Sequence, residues 1–160
     1  MKNENIIKIL PKESFVIWGS QAIAKQNKLF NRQCKDYDIM LNWETFSIYK
    51  PFFETQWTID QSKYWKEKIY IINFDDWSNI DCIITWEPKS NIIDWYKYLW
   101  IDDIILYKID LIKNNININI SIDNKHTKDL IFLIDKKNTL KYTEYYSIEP
   151  KEKIIFEPPF

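Results

Sequence analysis

Apolar residues recur along this chain with two different periods, and the switches between them mark out its elements. From Glu4 to Leu10 they fall at helical spacing, giving a short amphipathic helix that Pro11 stops. Phe15-Val-Ile-Trp18 is a β-branched and aromatic run, the composition of a short buried strand. Gly19-Ser20 turns the chain, and Gln21 to Lys28 reads as a helix for which Ser20 is the expected cap. Asn31 to Lys35 is a polar loop, and Asp36 to Leu41 is a second strand entered at its acidic end. Thr45 to Glu54 returns to helical spacing, with Pro51 expected to kink or end the helix.

Gln56 to Asp60 predicts a short strand. Ile69 to Phe74 and Ile80 to Trp86 are stronger ones, and the turn Asp75 to Asn79 between them predicts a β-hairpin. Beyond Pro88 the pattern is read as helical. Asp102 or Asp103 caps the apolar helix Ile104 to Ile112, and Thr127 to Asp135 is the last helix. Between them Asn114 to Asn124 alternates Asn with Ile and fits either a strand or an ordered loop. The expected fold is α/β: a small mixed β-sheet flanked by helices over residues 1–135, with a helical C-terminal part. A tail over residues 136–160, aromatic and then Pro-rich, is expected to wrap the surface.

Composition narrows the function classes. A chain of 160 residues with 46% apolar and 28% charged residues suits one globular domain with a real core. Its formal net charge of −1 argues against coating nucleic acid through bulk electrostatics. Cys34 and Cys82 form no C-x-x-C pair, and a single His completes no zinc pattern, so two reduced thiols are expected. No secretory signal follows Met1 and no apolar run approaches membrane-span length. A soluble cytoplasmic protein without membrane partners is expected. Abundant Ile, Asn, Lys, Tyr and Trp would also suit an organelle matrix, if the coding genome is AT-rich and reads UGA as Trp. Gly19 is the one glycine, which rules out a P-loop or a dinucleotide fingerprint, since each needs several. His126 has no Ser or Cys partner pattern for a hydrolase triad.

The remaining chemistry is acidic. On a strand, Asp36 and Asp38 would project from one face, where two carboxylates repel unless a cation lies between them. Mg²⁺, with its oxygen ligands, suits that position. Asp81 interrupts the apolar strand Ile80-Asp-Cys-Ile-Ile, and a charge there is costly without a partner. If the two strands are neighbours, three carboxylates form a cage able to hold metal against a triphosphate and to activate a hydroxyl for in-line displacement.

The order of these residues resembles a known family. Apolar-Gly19-Ser20-Gln-Ala22, a helix, Arg32, then Asp36-Tyr-Asp38-Ile and a later apolar-Asp81-apolar strand is similar to the nucleotidyltransferases of the DNA-polymerase-β-like superfamily. The nearest branches are the minimal, antibiotic-resistance and abortive-infection type IV toxin nucleotidyltransferases. Trp100-Ile-Asp-Asp-Ile-Ile-Leu-Tyr-Lys108 and Lys128-Asp129-Leu130 resemble later segments of the toxin type. The matched segments run in order from Phe15 to Leu133. Cys34 stands where many relatives carry Ser or Thr, and nothing after Asp135 matches.

The resemblance implies a nucleotidyltransferase that moves a nucleoside monophosphate from an NTP to a hydroxyl and releases pyrophosphate. Gly19 and Ser20 would bind the nucleotide phosphates, with Arg32 on the nucleotide side, and Lys108 or Lys128 would neutralise phosphate charge. Asp36 and Asp38 would bind Mg²⁺, two ions in all, and Asp81 would be the third ligand or the general base. The acceptor could be a tRNA end, a protein or a small molecule such as an antibiotic, and the toxin branch adds an antitoxin as a partner. The alternative is a non-catalytic subunit of a larger protein or ribonucleoprotein assembly that keeps the fold.

Overall fold

The computed structural model describes residues 3–34, 36–62, 68–86, 88–117 and 124–135. Helix α1 (Asn3–Ile9) leads through a 3₁₀ turn (Lys12–Ser14) into strand β1 (Phe15–Trp18). All four residues of β1 are buried, so the strand is covered on both faces, as its β-branched and aromatic make-up demands. Helix α2 (Gly19–Gln26) follows with no intervening loop. Strand β2 (Asp38–Leu41), helix α3 (Trp43–Gln56), strand β3 (Thr58–Gln61) and the hairpin β4 (Lys68–Asn73)–β5 (Asn79–Ile84) come next. A second hairpin, β6 (Ser90–Ile93)–β7 (Tyr96–Leu99), precedes helices α4 (Ile101–Asn117) and α5 (Asn124–Ile134).

The described strands form one seven-stranded mixed sheet in the order β3-β4-β5-β2-β1-β7-β6. Strand β1 pairs antiparallel with β2 and parallel with β7, while β2, the central strand of the seven, also pairs parallel with β5. Fully buried Ile17, Ile39, Met40, Ile72, Ile80, Ile83 and Leu99 come from the sheet, and α3 packs Phe46 and Phe53 into the same core. Each such side chain contributes about 1.5–3 kcal/mol on burial. Among the described residues no helix is long and apolar enough to cross a membrane.

Several local expectations are corrected. Residues 90–99 form a hairpin rather than helix. Its turn uses Asp94 and Trp95, both at positive φ (49° and 72°), without the Gly or Asn that normally announces such a turn. Tertiary contacts hold it. Asn91 Nδ2 donates to Gln26 Oε1 (2.7 Å), Gln26 Nε2 donates to Leu99 O (2.8 Å), and Lys25 pairs with Asp94. Ser20 is not a cap. The helix starts at Gly19, Trp18 occupies the capping position without a side-chain bond, and Ser20 lies in the first turn. Asp102 and Asp103 likewise sit inside the first turn of α4, where the Ile104 amide bonds Trp100 O at 3.0 Å and the acidic charges complement the helix dipole.

Pro51 does not end α3, which runs on to Gln56. Asn42 Oδ1 caps it by accepting from the Thr45 amide at 2.7 Å, and Phe46 and Phe53 anchor it on either side of the proline. The Asn/Ile segment is helical up to Asn117; residues 118–123 and the expected tail 136–160 lie outside the described residues.

Candidate active site

The site is built on a row of residues that crosses four adjacent strands. Trp18, the last residue of β1, is paired with Asp38, the first of β2. Because Ile39 pairs with Cys82 in the parallel β2–β5 ladder, Asp38 stands level with Asp81 one residue earlier on each strand. Asp81 in turn pairs with Ile71 of β4. Residues level with one another on neighbouring strands share a face, and all four line one cleft of about 450 Å³. Their neighbours Ile39, Cys82, Ile80 and Ile72 turn the other way into the core and are fully buried. Period-two alternation thus puts the two carboxylates where solvent and ligands can reach them.

Asp36 reaches the same cleft by another route. It lies in the loop before β2, not on the strand, so the expected shared pleat with Asp38 does not exist. The loop nonetheless brings it to the cleft wall. Gly19 has φ +68°, a conformation that L side chains rarely adopt, and a Cβ there would stand 2.8 Å from Asp38 Oδ2. The lone glycine therefore serves two ends: it reverses the chain sharply from β1 into α2 and leaves room for the Asp38 carboxylate. Ser20 lines the cleft beside it.

A second group of residues lining the cleft is basic: Arg32, Lys108 and Lys125, together with His126. Asp129 of α5 lies behind, completely buried, with Arg32 Nε and Nη2 donating to its two oxygens at 2.8 Å each. Lys108 Nζ is 2.9 Å from Asp129 Oδ2 and 3.2 Å from His126 Nδ1. One carboxylate thus holds two cations that come from a loop and from α4. Helix α5 is docked by Leu133, which is buried, and by Phe132 edge-on to Phe30 at 5.1 Å.

Electrostatics separates the two groups. Burial, then the charge of Asp81, pushes the Asp38 carboxyl up to about 7, against the pull of Lys108 and Lys125. Asp81 is raised by burial and by Asp36, again opposed by Lys125. Lys108 is lowered by burial, opposed by Asp129. An all-carboxylate donor set suits a hard divalent ion, and a cation placed there would favour the ionised carboxylates. Among the described residues no three His, Cys, Asp or Glu side chains are already gathered to hold a metal ion. The fit to Mg²⁺ therefore rests on donor chemistry and charge.

Of the residues singled out in the sequence, Ser20, Arg32, Asp36, Asp38, Asp81 and Lys108 line this cleft, and Gly19 abuts Asp38. Lys128 is exposed and is not among the lining residues. Sequence reasoning missed Trp18, Lys125 and His126 as cleft residues, and Asp129 as the buried anchor. The i, i+4 spacing of Lys125 and Asp129, which places both on one face of α5, was the available signal. A smaller cavity of about 260 Å³ lies at the other end of the strands, and among the described residues Glu13 is the one carboxylate lining it.

No protein-family model matches the sequence, and no curated protein matches it. Solved structures do. The crystal structure of ANT(2″)-Ia in complex with adenylyl-2″-tobramycin is similar with a TM-score of 0.55, covering 84% of this chain and 87% of that one. The two chains share a fold. A solution structure of the antibiotic-resistance factor ANT(2″)-Ia is similar with a TM-score of 0.56, covering 90% of this chain and 85% of that one. Both share 13% sequence identity with this chain, so the likeness is one of fold. It agrees with the family resemblance of the Gly-Ser and Asp-x-Asp segments.

Proposed function

We propose that this chain is a Mg²⁺-dependent nucleotidyltransferase that transfers a nucleoside monophosphate from an NTP to a hydroxyl and releases pyrophosphate. The observation that carries this reading is the level pair Asp38–Asp81 sharing one cleft with Arg32, Lys108 and Lys125. Arg32, Lys108 and Lys125 take up the triphosphate charge, with Ser20 beside them. Asp36, Asp38 and Asp81 would hold Mg²⁺, which when bound neutralises the phosphates and favours in-line displacement. The acceptor oxygen forms a bond to the α-phosphorus while the α–β anhydride bond breaks and pyrophosphate leaves. Asp81, whose carboxyl is raised, accepts the hydroxyl proton. ANT(2″)-Ia, crystallised with adenylyl-2″-tobramycin, makes an aminoglycoside hydroxyl the first acceptor to try.

The test is incubation with each α-labelled NTP, Mg²⁺ and tobramycin, total tRNA or candidate proteins, comparing wild type with Asp38→Ala. Label on one acceptor class with wild type alone is expected. Equal labelling by both proteins, or none across all acceptors, would overturn the reading.

A further inference from the structure

Trp18 lines the cleft from the end of β1. Its side chain is 96% buried, on the 4% exposure of the residue, and its ring packs on Tyr107 of α4 with centroids 5.9 Å apart. It lies on the face of Asp38 and lines the cleft. Its indole Nε1–H, shielded from solvent, has no hydrogen-bond partner among the described residues. A buried donor left unpaired costs about 1–3 kcal/mol, a cost that a folded protein seldom carries without compensation. Among the buried side-chain polar atoms lacking a partner, this is the one whose residue lines the cleft.

The ligand that would satisfy it must bring an acceptor oxygen. Ser20, two residues along the chain, and Lys108, which follows the Tyr107 on which the indole packs, line the same cleft and offer an anionic ligand a hydroxyl and a cation beside Asp38. We propose that Trp18 is a nucleotide-binding residue, its Nε1–H donating to a phosphate oxygen of the bound NTP. This rests on the nucleotidyltransferase reading of the cleft. A hydrogen bond to a charged oxygen is among the stronger kinds, and a neutral donor supplies it without adding charge next to Asp38.

The test follows the Trp18 indole ¹H–¹⁵N resonance, assigned through the backbone, while wild type is titrated with each Mg²⁺–NTP, with inorganic tripolyphosphate and with the matching nucleosides. The resonance is expected to move with NTP and tripolyphosphate and to stay with nucleosides. Trp18→Phe, which keeps a ring on Tyr107, is expected to weaken NTP and tripolyphosphate about tenfold and to leave nucleoside binding unchanged. A merely structural tryptophan would alter both or neither. If wild type binds NTP while the indole stays still, or moves only with nucleosides, this inference falls and the proposed function stands. If wild type binds neither NTP nor tripolyphosphate, both fall. Should Trp18→Phe fail to fold, the wild-type titration still decides.

Discussion

Removing Asp129 tests the electrostatic architecture most directly. In Asp129→Ala, Lys108 keeps its buried place, with a side-chain exposure of 3%, but loses the carboxylate 2.9 Å away. What remains nearby is His126 Nδ1 at 3.2 Å, a poor substitute for a countercharge, and the Asp38 carboxyl, which is itself raised and acts on Lys108 less than Asp129 does. Breaking a buried pair by deleting one partner costs about 3–5 kcal/mol, because the surviving charge is left uncompensated. Arg32 adds little to that loss: its side chain is 31% exposed and can turn to water, the regime in which ion pairs contribute about 0–1 kcal/mol. The expected loss is therefore about 3–5 kcal/mol, out of the roughly 5–15 kcal/mol that hold such a domain together. Urea unfolding followed by circular dichroism should show the midpoint falling by about 2 M at an unchanged slope. Asp129→Leu combined with Lys108→Met should recover most of the loss, since an apolar pair leaves no orphaned charge. A loss below about 1 kcal/mol for Asp129→Ala, or a double variant no more stable than the single one, would refute this account.

Three further outcomes follow from the site. Gly19→Ala places a Cβ 2.8 Å from Asp38 Oδ2 on a backbone at φ +68°, so thermal melts should show a loss of about 1–2 kcal/mol, and nucleotide transfer should drop at least tenfold. Because the Asp38 carboxyl is raised to about 7 from its ordinary 3.8, the folded state holds its proton more tightly than the unfolded one. That stabilisation is complete below about pH 4 and is lost as the pH rises through about 7. The difference in melting temperature between wild type and Asp38→Asn, measured without divalent metal, should change across that window, and a flat difference would count against the burial of Asp38. Finally, Cys82 is fully buried and its thiol is pushed up by burial and by Asp81 and Asp38, so a disulfide reagent should titrate Cys34 alone in the native protein and both thiols in denaturant.

Much of the site could be read along the chain because its carboxylates sit on short, strongly apolar strands. Phe15 to Trp18, Ile39 to Leu41 and Ile80 to Ile84 declare themselves by β-branched and aromatic content, and a carboxylate set into such a run stands out. The hairpin Ser90 to Leu99 did not, because its turn residues Asp94 and Trp95 adopt positive φ without glycine, held by the Lys25 and Gln26 contacts of α2. Asp129 looked like a surface charge beside Lys128. Its helix, however, turns the two residues about 100° apart, burying Asp129 and exposing Lys128.

The sequence by itself determined most of the local elements and the residue types at the site: which apolar runs are strands, where the one glycine turns the chain, and which strands carry a carboxylate. Those properties depend on spacing between near neighbours. Tertiary structure alone decided that β2 lies parallel to β5, which sets Asp38 level with Asp81, and that Arg32 and Lys108, distant in the chain, share Asp129. It also decided that Trp18 lines the cleft while its buried indole N–H has no partner among the described residues. Strand order and helix docking are set by burying apolar faces against segments far along the chain, and no local spacing encodes which segments those are.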